Sequence, residues 1–298
     1  MSRHYRIAAI SSLAIVLAAS PASAKMFQGT TGNDSIKGKN RADKIMAIGG
    51  QDKVTARGGH DKIWAGNGHD TVSGDDGDDW ITLQPGNDWG SGGLGNDSID
   101  GGQGDDLMYG GEGNDKVTAG DGNDVVHGEG GNDLVGGGPG DDQLFGGDGV
   151  DKHIGNDGND VIDAGPGDDG AIQGGPGNDV LIDGEGNDVK IKGDEGDDTV
   201  FLGPGADKVF TEQGNDTIYV LPDGQQDKIH CDDPTLGDSG NADRVVFVGW
   251  RDPADVIDYR GSCEIVELTA ELPAGWPYGA IPSQRSVMQR TAGTDLRR

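Results

Sequence analysis

The chain has 298 residues, of which 57 are glycine, 32% hydrophobic and only 5% aromatic, and its formal net charge is −30. So acidic a balance argues against nucleic acid or an anionic lipid surface as a partner, because like charges repel. So little apolar surface also excludes an ordinary packed core, and without counter-ions a chain of this composition stays unfolded.

In chain order, residues 1–24 come first. Arg3 and Arg6 precede an apolar run from Ile7 to Ala19, and Ala22-Ser23-Ala24 supplies small residues for cleavage. The pattern predicts a secretory signal peptide removed before Lys25. Its apolar run is short of the roughly 20 residues needed to span a bilayer. No other stretch is apolar enough, so the expected product is secreted, extracellular or held at the cell surface, with no membrane span.

A period of nine then takes over. Aspartate stands at Asp34, Asp43, Asp52 and Asp61, then at Asp70, Asp79, Asp88, Asp97, Asp106, Asp115, Asp124, Asp133, Asp142, Asp151, Asp160 and Asp169 without a break. The phase slips and continues at Asp179, Asp188, Asp198, Asp207, Asp216, Asp227 and Asp243. Glycine usually precedes this aspartate by two positions, and an apolar residue such as Ile63, Val72, Ile99, Val117 or Ile162 follows it by two. The Gly/Asp half of each unit is turn chemistry, since glycine takes positive φ without a Cβ clash. The other half, such as Lys116-Val117-Thr118, suits a short strand with its central side chain inward. Two units make a coil of about 18 residues, and coils stacked at about 4.7 Å build two parallel sheets.

One aliphatic side chain per unit is a thin core, so the carboxylates decide whether the coils hold. A hard cation at each turn supplies attraction and removes the charge repulsion together. Carboxylate and carbonyl oxygens suit Ca²⁺, which takes about 6–8 ligands with tolerant geometry, better than Mg²⁺ with its tight octahedron. A His/Cys set for zinc is lacking.

Gly92-Gly93-Leu94-Gly95-Asn96-Asp97-Ser98-Ile99-Asp100 and Gly110-Gly111-Glu112-Gly113-Asn114-Asp115-Lys116-Val117-Thr118 resemble the RTX, or haemolysin-type calcium-binding, nonapeptide Gly-Gly-x-Gly-x-Asp-x-U-x, with U large and apolar. The resemblance covers roughly residues 29–230. It implies an all-β fold, a right-handed parallel β-roll (a solenoid) over residues 25–230, with Ca²⁺ between successive coils on the same edge. It implies metal ligands at the repeat aspartates from Asp70 to Asp216, shared between repeats n and n+2, and ordering of the chain when calcium binds.

Some units depart from the pattern. Lys44, Lys53 and Lys62 follow Asp43, Asp52 and Asp61, which predicts weaker sites there. Insertions near Gln173 and Lys192 are expected to bulge the roll. Gly90, His153, Ala171 and Lys190 fall on expected apolar positions, predicting local breaks in the core.

Residues 231–271, richer in Val and Ile, are expected to form a small C-terminal β cap, and residues 272–298 a flexible tail. Cys231 and Cys263 are the only cysteines. In a chain that leaves the reducing cytosol they predict a disulfide closing a loop of about 32 residues and contributing about 3–4 kcal/mol; two unpaired thiols are the alternative. Gly237-Asp238-Ser239-Gly240 is similar to a serine-protease nucleophile segment, but no histidine has a protease context, and a polar loop is the expectation. Trp64, Trp80 and Trp89 flank inward positions and are expected to face outward.

These readings describe a non-catalytic, secreted calcium-binding module of surface, matrix or adhesion type, with an extracellular polysaccharide or surface protein as partner. The alternative is a calcium-dependent polysaccharide-active enzyme, or the remnant of an RTX toxin or hydrolase. The repeats start about five residues after the expected cleavage point, which leaves no room before them for the separate catalytic domain such proteins carry.

Overall fold

The computed structural model describes residues 24–231, 242–249, 251–257, 263, 265–269 and 277. Apart from Ala24 and Pro277, the expected signal and tail lie outside the described residues, as does Ser239 with its neighbours.

The first four strands set the pattern for the rest. β1 (Lys25–Gln28) pairs in parallel with β3 (Asp43–Gly49), and β2 (Ser35–Lys37) with β4 (Lys53–Thr55). Continued alternately, this gives two 13-stranded parallel sheets, a first beginning at β1 and a second at β2. Among the described residues every regular element is a strand. Neighbouring strands in the regular stretch pair 18 residues apart, as in Leu107 with Val125 and Val117 with Val135.

The nonapeptide dictates this arrangement locally. In Lys116–Asp121 the Val117 side chain is buried while Lys116 and Thr118 point out, the alternation required of a strand. Between the sheets lies a single file of aliphatic residues, Ile45, Ile63, Ile81, Ile99 and Val117 from the first and Val54, Val72, Met108, Val126 and Leu144 from the second, all essentially inaccessible to solvent. At the turns, Gly111 and Gly113 take φ of 117° and 136°, in the left-handed region. A Cβ on Gly113 would overlap the Gly95 carbonyl oxygen one coil earlier, so coil stacking itself demands the glycine.

The core is more continuous than the sequence predicts. One extra residue falls between Asp169 and Ile172, and another between Asp188 and Ile191, which moves the register from 18 to 19 residues (Ile162 with Leu181, Ile172 with Ile191). Ile172 and Ile191 therefore occupy the inward places, not Ala171 and Lys190. The insertions sit at the strand starts, just before Gln173 and Lys192, and Val189 is turned out, 63% exposed. Gly90 faces inward, but Leu83 from the opposite sheet reaches toward it; a Cβ on Gly90 would lie 2.9 Å from Leu83 Cδ1. His153 is fully buried between Val135 and Ile172, and neither ring nitrogen has a hydrogen-bond partner. Burial pushes its pKa down to about 4, so it packs as a neutral ring.

The ladder runs on past residue 231: Arg244–Val248 pairs with Thr217–Val220, Val256–Ile257 with Lys228–His230, and Ile265–Thr269 with Arg244–Val248. Cys231 and Cys263 form a disulfide with Cα atoms 5.5 Å apart. It ties the end of a first-sheet strand to the approach of the last second-sheet strand.

Candidate metal-binding edges

The repeat aspartates stack into two columns, one along each edge where the chain passes between sheets. Within a column each aspartate donates its backbone N–H to Oδ1 of the aspartate one coil on: Asp97 to Asp115 at 2.7 Å, Asp115 to Asp133 at 2.8 Å, Asp106 to Asp124 at 2.7 Å and Asp124 to Asp142 at 2.8 Å. The insertions leave the chain of bonds intact, with Asp160 donating to Asp179 and Asp169 to Asp188. Every aspartate expected as a ligand, from Asp70 to Asp216, lies in one of these columns and is buried.

From Asp70 to Asp207, Oδ2 of every column aspartate is buried without a hydrogen-bond partner. These oxygens converge with backbone carbonyls: a Cβ on Gly110 would lie 2.6 Å from Asp115 Oδ2 and 2.8 Å from the Gly128 carbonyl oxygen, so both face one small space. Such a space, lined by carboxylate and carbonyl oxygens, suits a hard cation.

Electrostatics point the same way. Burial pushes the carboxyls of Asp97, Asp106, Asp142, Asp151, Asp169, Asp179 and Asp188 up to about 7, against the downward pull of the backbone N–H each accepts. Neighbouring aspartates raise them further, and for Asp227 burial and its neighbours bring the value to about 9. Ionised carboxylates stacked this closely require protons or cations between them.

The columns extend beyond the expected ligand set. Asp52 and Asp61 show the same bonding and the same unpartnered Oδ2 as later coils. The lysines that follow Asp43 and Asp61 point away from the edge: Lys44 lies over the Trp64 ring and Lys62 over the Trp80 ring. Asp255 closes one column, accepting the Asp227 N–H at 3.2 Å. Asp183 adds a carboxylate within one edge. The spacing of nine conceals Asp255, which follows Asp243 by twelve residues, and Asp183 stands at a position the repeat usually gives to glycine.

The two outer faces differ. Among the described residues from Ala56 to Asp243, the lysines beyond Lys62 all lie on the first sheet: Lys116, Lys152, Lys190, Lys192, Lys208 and Lys228. The second sheet instead carries a stack of Tyr109, His127 and Phe145 with ring centroids 4.9 and 4.7 Å apart and planes within 9° of parallel. Trp80 is exposed while Trp64 and Trp89 are half-buried; the Trp64 and Trp80 rings meet edge-on.

This fold and these edges define a calcium-binding β-roll. The family model for the RTX calcium-binding nonapeptide repeat matches in overlapping segments spanning residues 28–81 and 84–219, more than half of the chain. The chain belongs to that family. Comparison with curated proteins gives no match.

Proposed function

We propose that the chain is a secreted, non-catalytic module that folds on calcium and then presents a rigid two-faced roll to an extracellular partner. The observation that carries the reading is the column of buried Oδ2 atoms without partners, repeated coil after coil. Uniform repetition supports a structural role for these carboxylates, because a catalytic pair needs one differentiated environment. The signal-like start of the sequence and the Cys231–Cys263 disulfide support passage to an oxidising compartment.

The lysine-bearing first sheet suits an acidic surface polysaccharide or surface protein, with Lys190, Lys208 and Lys228 exposed on three successive strands of that sheet. The aromatic faces are less suited to stacking on sugars, since neighbouring rings and lysines already cover them. Equilibrium dialysis with elemental analysis tests the calcium reading: several Ca²⁺ per chain are expected, and a trace-level content at millimolar calcium would refute it. Binding to acidic but not neutral polysaccharides in calcium, weakened by Lys208→Glu with Lys228→Glu, tests the partner.

A further inference from the structure

Asp183 departs from the repeat at a position that the preceding coils of its edge give to glycine or alanine. The position five residues before a column aspartate holds Gly128, Gly146 and Ala164 in the preceding coils of the same edge. In those coils the missing or minimal side chain leaves room for the aspartate's Oδ2: a Cβ on Gly146 would lie 2.5 Å from Asp151 Oδ2. At Asp183 that room holds a second carboxylate.

Carboxylate oxygens of Asp183, Asp188 and Asp207 lie within 4.8 Å of one another. All three side chains are buried, at 1–2% exposure. Their Oδ1 atoms are occupied, accepting the N–H of Gly203 at 2.7 Å, of Asp169 at 2.7 Å and of Asp188 at 2.9 Å respectively. Oδ2 of Asp188 and Oδ2 of Asp207 have no hydrogen-bond partner. None of the ion pairs among the described residues involves either of these two. Lys190 and Lys208, their chain neighbours, are exposed on the outer face of the sheet.

We propose that Asp183, Asp188 and Asp207 form a three-carboxylate calcium site that binds Ca²⁺ more tightly than the repeating coils and fills first. The proposal rests on the reading of the edges as calcium sites and adds a rank order to them. Its physical basis is charge: an ordinary gap between coils offers one buried carboxylate from each, whereas this gap offers three. Calcium affinity rises with the number of charged ligands and with the rigidity of the site, and here backbone N–H groups anchor all three carboxylates.

Isothermal titration of the chain from Lys25 to Arg298 with CaCl₂, after EDTA stripping, tests this with Asp183→Gly and Asp183→Asn. Asp183→Gly installs the repeat's own residue, and Asp183→Asn keeps the shape while removing the charge. The expected wild-type titration resolves one Ca²⁺ bound at least about tenfold more tightly than the remainder, an amount one added charged ligand supplies. Both variants lose that step yet reach the wild-type circular dichroism spectrum at millimolar calcium. Superimposable titrations of wild type and variants would overturn the proposal while leaving the calcium reading intact. Variants that fail to become β-rich at saturating calcium would assign Asp183 to packing and also overturn it. Absence of calcium uptake by all three proteins would instead refute the underlying reading.

Discussion

The backbone N–H of Asp97 donates to Oδ1 of Asp115 across one coil at 2.7 Å, which leaves Asp115 Oδ2 buried without a partner. One hydrogen bond thus fixes the stacking register and aims a charge into the edge. Repeated along both columns, it makes the metal-free roll dependent on pH. Burial raises these carboxyls to about 6 or 7, above the value near 4 of an unfolded aspartate. Between those values the folded state holds protons that the unfolded chain has released, so stability is greatest below about pH 4 and falls as pH rises through about 7. In EDTA, far-ultraviolet circular dichroism should therefore show β structure near pH 4.5 that is lost as pH rises through about 7. A β content that is flat or rises with pH would contradict this.

Replacing one column charge should act with opposite signs in the two states. Asp115→Asn keeps an oxygen to accept the Asp97 N–H but removes a buried charge. In EDTA at pH 5.5, where protons hold the metal-free roll together, the variant should be more stable than wild type, and in millimolar calcium at pH 7.5 less stable, by about 1–2 kcal/mol in each case. Paired denaturant titrations read both values. A shift of the same sign in both would show that the carboxylate is not held by a cation.

Leu83 and Gly90 are complementary across the core, large against absent. Leu83→Ala should cost about 2–5 kcal/mol through the cavity it leaves, and Gly90→Val should be destabilising alone because Leu83 fills its space. Combined, they should recover part of the loss, with a coupling of about 1–3 kcal/mol in a double-mutant cycle. Additive effects would mean that the two do not share one space.

Ile48 has φ of 91°, a conformation that β-branched residues rarely adopt. The equivalent place in later coils is a glycine such as Gly66, Gly93 or Gly111, or an unbranched polar residue such as Asp75, Gln84 or Glu129, each also at positive φ. Ile48→Gly should stabilise the calcium-loaded roll by about 1–2 kcal/mol, despite the added freedom of the unfolded chain. A lower melting temperature for the variant would overturn this account of the first coils.

Much of this is legible in the sequence, because the period of nine specifies at once which side chain points inward, where glycine must sit and which carboxylates share an edge. What it hides are compensations between coils. Leu83 stands 7 residues from Gly90 in the chain, and no single unit shows that the two meet. Ala171 and Lys190 look like core breaks only while the period is counted rigidly; an extra residue at the strand start hands the place to Ile172 and Ile191. Lys44 and Lys62 look like neighbours of the metal edge, but strand alternation sends them to the outer face, onto Trp64 and Trp80. Asp183 reads as a degenerate glycine until the coils are stacked.

The central claim is that calcium at the aspartate columns turns an acidic, weakly apolar chain into a roll. Far-ultraviolet circular dichroism of the chain from Lys25 to Arg298 at pH 7.5, titrated from EDTA to millimolar CaCl₂, tests it most directly. The account predicts an unordered spectrum that becomes β-rich as calcium rises and reverts on chelation. A spectrum that stays unordered at millimolar calcium, or one already β-rich in EDTA, would contradict it.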